Sequence, residues 1–255
     1  MDDPKRRIGG SALRLSAGTS IGESVDHLET TVVTLSARAG NGSIYVLEAN
    51  DLIVGDVGLS VNRVASDAST ATGSSTDAVQ SDIRTTGGNG HIVLRTTAGA
   101  ITLNNGTAPG DDTALSANGT GNILIQALGA GTDITVNADI VSGSGNVSVL
   151  AAASIVLTGT ADIRTSSTAG TSGSIDVLAG TGSITQSATS VFLSTGASAT
   201  ARLLAATDVT VGDIELSLGQ VSITATAGSI LDADALVNSA NDTDQDITAS
   251  ALRLF

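Results

Sequence analysis

Apolar and polar residues alternate along this chain in short bursts, each closed by a corner rich in glycine or serine. Gly90-His-Ile-Val-Leu94 recurs as Gly121-Asn-Ile-Leu-Ile125, Gly145-Asn-Val-Ser-Val149 and Gly173-Ser-Ile-Asp-Val177. A second burst follows each of them: Ala100-Ile-Thr-Leu103, Asp133-Ile-Thr-Val136, Ser154-Ile-Val-Leu157 and Ser183-Ile-Thr-Gln186. A third opens with aspartate: Asp82-Ile-Arg-Thr85, Asp139-Ile-Val-Ser142 and Asp162-Ile-Arg-Thr165. A period of two over so few residues predicts strands with one face turned inward. No segment sustains a helical period. Strands in a fixed order, each ended by a corner, predict a chain wound around an axis: an all-β solenoid of roughly ten coils. Each coil adds about 4.8 Å, the strand spacing, so the stack is about 50 Å long. In such a stack Ile92, Ile123, Val147 and Ile175 share one inward ladder.

The alignment places coil starts near Gly90, Gly121, Gly145, Gly173, Ser198 and Gly219. Thr31-Val-Val-Thr-Leu35 and Ser43-Ile-Tyr-Val-Leu47 extend the scheme toward the N-terminus. Residues 65–80 are polar and rich in Ser and Thr, and are read as a long loop extruded from a corner. Residues 108–114, with Pro109-Gly110, are read as a second extruded loop. Residues 1–7 are read as boundary residues, and 1–255 as one solenoid segment. A longer echo sits above the coil repeat. Ile8-Gly-Gly-Ser-Ala-Leu-Arg-Leu15 matches Ile247-Thr-Ala-Ser-Ala-Leu-Arg-Leu254. This match predicts one unit of a tandem array whose ends are open, complementary strand edges.

Composition narrows the core. With two Phe, one Tyr and no Trp, any interior is aliphatic, and β-branched residues suit a pleated, half-buried surface. Two Pro and 30 Gly fit regular strands with tight corners. No stretch approaches the roughly 20 apolar residues of a membrane helix. No apolar segment follows Lys5-Arg-Arg7 as it would in a secretory signal. Cysteine is absent, which excludes disulfides and thiolate metal sites. The net charge of −14 argues against nucleic-acid and anionic-membrane partners and favours solubility.

The phrases Gly-Asn-Ile-x-Ile, Ala-Gly-x-Ile-Thr and Asp-Ile-x-Thr-Ser resemble the repeats of large bacterial surface proteins, in particular the filamentous-haemagglutinin-like adhesins. The resemblance is best between Asp82 and Leu231. It implies a right-handed parallel β-helix, export to the cell surface and a stalk or adhesive role.

Candidate chemistry is sparse. His27 and His91 lie far apart in sequence, and His91 occupies the coil position of Asn122, Asn146 and Ser174, a corner. Asp111-Asp112 and the Asp232/Asp234 pair are the carboxylates to weigh for glycoside chemistry. A sugar groove would also want aromatic platforms, which this chain lacks, so no catalytic residues are expected. Gly87-Gly-Asn-Gly-His begins like a calcium-binding nonapeptide but lacks its Asp. Asp51, Asp82, Asp139, Asp162 and Asp213 all open Asp-Ile or Asp-Leu phrases and are the calcium candidates. Against calcium stands the ordinary use of Asp to accept backbone N–H bonds at turns. No other cofactor is implied. The Asn-x-Ser/Thr triplets at Asn41, Asn105, Asn118, Asn146 and Asn241 read as turns. An ice-binding threonine face is disfavoured, because Thr70/Thr72, Thr158/Thr160 and Thr224/Thr226 do not recur at one coil position.

The functional expectation is a rigid stalk or fibre segment of a large secreted bacterial surface protein. Its first partners are further copies head to tail, then a host or neighbouring-cell surface or a polysaccharide. The rivals are a polysaccharide-active β-helix enzyme and a ligand-binding adhesin tip that uses the extruded loops.

Overall fold

The computed structural model describes residues 7–166, 173–196, 198–234 and 245–255. These residues form 24 strands and no helix. Twenty-two of the strands make one continuous sheet, and every pairing within it is parallel. Through the middle of the chain each strand pairs with the third strand after it, which gives three sides per turn. The protein is a parallel β-helix.

The first side stacks Ile44–Glu48, Ile92–Thr96, Ile123–Ala127, Val147–Ala151, Ser174–Ala179 and Thr200–Ala205. The strands Asp213–Ala225 and Ile247–Leu254 continue it with their C-terminal halves. The second side runs from Leu52–Val54 through Ile101–Leu103, Ile134–Val136, Ile155–Leu157, Ile184–Thr185 and Val209–Val211 to Ile230–Asp232. The third runs from Ile83–Thr85 through Thr113–Ala117, Asp139–Ser142, Ile163–Thr165 and Val191–Ser194. The N-terminal halves of Asp213–Ala225 and Ile247–Leu254 complete it. Leu28–Ala39 bends across all three sides, and Ile8–Ala17 lies over it as the first strand.

Burial explains why these residues make these strands. Five-residue strands on the first side alternate buried and half-buried positions. Ile92, Ile123, Val147 and Ile175 face one another in register and are 0–2% exposed, so the expected ladder is present. Each such side chain contributes about 1.5–3 kcal/mol by leaving water. Phe192 takes a place in the third-side ladder between Ile163 and Ile214, fully buried.

The glycine that opens the first-side phrase is fixed by contact. Gly90, Gly121, Gly145 and Gly173 stack at one corner. A Cβ on any of them would lie 2.0–2.2 Å from the carbonyl oxygen of the glycine one coil before. No side chain fits there, which is why glycine recurs in each copy of the phrase.

Two sequence expectations need correction. Residues 65–80 do leave the stack, but only 65–69 form a turn, and Thr70–Gln80 is a strand. Val57–Val64 and Thr70–Gln80 pair antiparallel as a hairpin that leaves the corner between the second and third sides. Its polar, Ser/Thr-rich wording reflects strands exposed on both faces. Residues 108–114 leave the stack only as far as Asp112, because Thr113 and Ala114 are already buried in the strand Thr113–Ala117. The boundary residues 1–6 and the triplet at Asn241 lie outside the described residues.

The two matching phrases do lie at opposite ends of the stack, but on different sides. Leu15 pairs with Ala37 and so belongs to the third-side ladder, whereas Leu254 pairs with Ile223 on the first side. The shared words are therefore not structurally equivalent. Among the described residues Ile8–Ala17 pairs with Leu28–Ala39 alone, and Ile247–Leu254 with Asp213–Ala225 alone. Leu252 holds the ladder position of the buried Ile92 and Ile123, yet is 48% exposed.

Candidate functional site

Polar chemistry in this molecule is concentrated at the corners, and the coil repeat sets its geometry. The residue just before a strand turns its side chain outward. That side chain sits over the backbone N–H of the equivalent residue one coil on. Before the first side, Ser43, His91, Asn122 and Asn146 accept such bonds in turn, from His91, Asn122, Asn146 and Ser174, at 2.8–2.9 Å. His91 accepts through Nδ1, so it is the corner residue its sequence position implied.

The five calcium candidates divide between two corners. Asp51 stands before the second side, where its carboxylate accepts the Ala100 N–H at 2.8 Å. Asp133 and Asp208 do the same two and five coils on. Asp82, Asp139, Asp162 and Asp213 stand before the third side, each next to an inward isoleucine of one ladder. Asp139 accepts the N–H of Asp162, and Asp162 accepts that of Val191, both at 2.8 Å. Arg164 contacts the carboxylates of both. Burial pushes both carboxyls above the usual range, against the opposing pull of those N–H groups and of Arg164. Among the described residues, no three Asp, Glu or His side chains converge as ligands for a metal. The carboxylates form a ladder with at most one rung per coil, interrupted at Thr113–Ala114 and at Val191, not the cage of six to eight oxygens that calcium takes.

Asp82 breaks the pattern. It is fully buried, and its backbone sits in the left-handed region at φ 65°. The next strand on this side carries a bulge, with Thr113 and Ala114 set against the single Asp139. That bulge displaces the N–H that Asp82 would receive. The Ser81 hydroxyl and the Gly106 N–H lie close enough to lower its pKa, but neither makes a hydrogen bond of normal geometry to its oxygens. Burial dominates, Asp111 adds to it, and the carboxyl is pushed up to about 6.

The other carboxylates have structural partners. Asp111 pairs with Arg84 at 3.0 Å. Asp112 accepts from Asn105 and Thr160. Asp232 accepts the Asp234 N–H in a local turn. His27 stacks on Tyr45 at 5.7 Å, and burial, helped by Arg95, holds its pKa down. A groove of about 470 Å³ beside the C-terminal end of the third side holds Asp213 and Glu215 but no aromatic side chain.

One buried acid escaped sequence reasoning. Glu48 ends the strand Ile44–Glu48 at an inward position, where the coils that follow have Thr96 and Ala127. It is fully buried and accepts from Thr30 Oγ1 and from the N–H groups of Val32, Ala49 and Asn50 at 2.6–3.2 Å. It fastens the bend of Leu28–Ala39 to the first regular coil. The only available signal was an acid at an inward step of the alternation.

No protein-family model matches the chain, and no curated protein or solved structure matches it. The likeness to haemagglutinin-like adhesins rests on the repeat wording.

Proposed function

We propose that this chain is a rigid structural segment, a stalk or fibre unit, of a large secreted bacterial surface protein. One observation carries the reading: the same three inward ladders run through the described stack from Leu28–Ala39 to Ile247–Leu254, a repetition that makes length and surface. The hydrogen-bonded use of the corner carboxylates supports a structural role over a polysaccharide-active one. Small-angle scattering tests the reading. A rod of constant cross-section that lengthens as concentration rises supports it. A compact particle of fixed size that turns over a polysaccharide overturns it.

The projecting hairpin favours a second role, adhesion. Its exposed Leu59, Val61, Val64 and Val79 offer apolar contacts away from the stack. Excising it should abolish binding to a cell or polysaccharide surface while leaving the rod unchanged.

A further inference from the structure

At the root of the hairpin the corner between the second and third sides is covered by the coil that follows. Residues 104–112 join Ile101–Leu103 to Thr113–Ala117 and form a strap over Ser81 and Asp82. Four hydrogen bonds tie the strap down. The Thr107 N–H and hydroxyl donate to the Asp56 carboxylate at 2.8 and 2.7 Å. The Ala108 N–H donates to the Ser81 hydroxyl at 3.1 Å, and the Ser81 N–H donates to the Ala108 carbonyl at 3.3 Å. Gly106 lies so close that a Cβ on it would collide with the Ser81 side chain.

Asp82 lies beneath this strap, fully buried, and neither of its carboxyl oxygens has a hydrogen-bond partner. Its counterparts Asp139 and Asp162 each accept a backbone N–H from the coil after. Relief toward the interior is closed. Ile83 beside it is fully buried in the aliphatic ladder, and the Ala37 N–H of the coil before holds the Asp82 carbonyl at 3.0 Å. Relief toward water is closed by the strap, whose Gly106 and Asp111 lie near enough to act on the carboxyl. The charged side chains around this corner supply no partner. Arg38 and Arg84 stand on the outward row of the third side, and Arg84 is paired with Asp111 at 3.0 Å. Arg14, opposite Ser36, lies two coils before. Asp56 is used by Thr107, Asp112 by Asn105 and Thr160, and Asp139 by Asp162 and Arg164. Asp77 stands opposite Leu59 in the hairpin. An ionised Asp82 is therefore a buried charge without a partner, which a chain avoids by neutralising the group or by letting it reach water.

We propose that residues 104–112 are a pH-sensitive strap, seated while the Asp82 carboxyl is neutral and lifted when it ionises. Lifting frees the Ser81 half of the hairpin root, while Gln80 keeps its bonds to the Leu15 carbonyl and the Ser36 hydroxyl. The footing of the hairpin changes without any coil unwinding. The device lies within one chain and holds whether or not that chain is a fibre unit.

Amide hydrogen exchange on the whole chain, with rates corrected for the intrinsic effect of pH, tests the strap. Beneath the seated strap the carboxyl titrates at about 6, and in the lifted state it returns to the ordinary value near 3.9. The seated state is thus favoured at low pH and loses that advantage as pH rises through about 6. The Thr107 and Ala108 amides should exchange well before those of Ile123 and Ile140, which are bonded between coils. Their protection should fall about tenfold between pH 5 and pH 8 and level off above about pH 6. In Asp82→Asn the fall should disappear. Asp111→Asn removes the neighbouring charge and frees Arg84, so the fall should become smaller and level off at lower pH. Strap amides that exchange no sooner than the coils, or whose protection does not change with pH, overturn the proposal. So does a tenfold fall that survives Asp82→Asn, or one that Asp111→Asn leaves unmoved.

Discussion

Single residues at the corners and bends decide how well one coil sits on the next. Glu48 gathers four donors in a fully buried position. Glu48→Ala strands three backbone N–H groups and a hydroxyl, and should lower stability by about 3 kcal/mol or more in denaturant titrations. Gly145→Ala drives a methyl into the Gly121 carbonyl and should cost roughly 1–3 kcal/mol or more. Asp82 predicts the opposite sign. Its carboxyl is raised to about 6, so the folded state holds a proton that the unfolded chain releases near 3.9. The stability this group contributes is complete below about 3.9 and is lost as pH rises through about 6, on the order of 3 kcal/mol at most. Asp139 and Asp162, also raised, push in the same direction. The protein should therefore melt higher at pH 5 than at pH 8. Asp82→Asn, whose side chain tolerates the same backbone region, should raise the melting temperature at pH 8 with little effect at pH 4. A gain of equal size at both pH values would remove the carboxyl from the explanation.

Among the elements, the three-sided coil is the unit of stability. Ile123 sits between Ile92 and Val147 with 2% exposure. Ile123→Asp buries an unpaired charge and should cost several kcal/mol, measured by chemical unfolding. The hairpin behaves differently. Apart from Val57 and Gln80, most of its residues are exposed. Replacing residues 58–79 by a short Asn-Gly turn should shift the melting temperature by no more than about 4 °C. A collapse of the fold on that change would make the hairpin part of the core. These elements were legible unevenly. The recurring phrases located the strands of the regular coils, because burial imposes a period of two. The hairpin read as a loop, because strands with neither face buried leave no period.

For the molecule as a whole, the corner carboxylates bear on ion dependence. Asp51, Asp139 and Asp162 are already bonded to backbone N–H groups of the next coil. A chelator should leave the melting curve unchanged, and added calcium should not raise it; a rise that follows mass action would reveal a site. The acidic corner was partly legible, since Asp82, Asp139, Asp162 and Asp213 open similar phrases and do share one ladder. Asp51 opens a similar phrase but belongs to another corner, because strand wording does not say which side a strand occupies.

The sequence alone determined the winding, the inward aliphatic ladders and the glycine corners. Each of these follows from constraints that repeat within a few residues, alternation on a pleat and steric room at a turn. Only the tertiary structure decided which side each phrase lies on, which carboxylate lacks its donor, and that the two matching phrases are out of phase. Those facts depend on corner lengths summed over many residues and on a single bulge between Thr113 and Leu115. A one-residue change in a corner alters which groups meet in the next coil, while leaving the local pattern of apolar and polar residues the same.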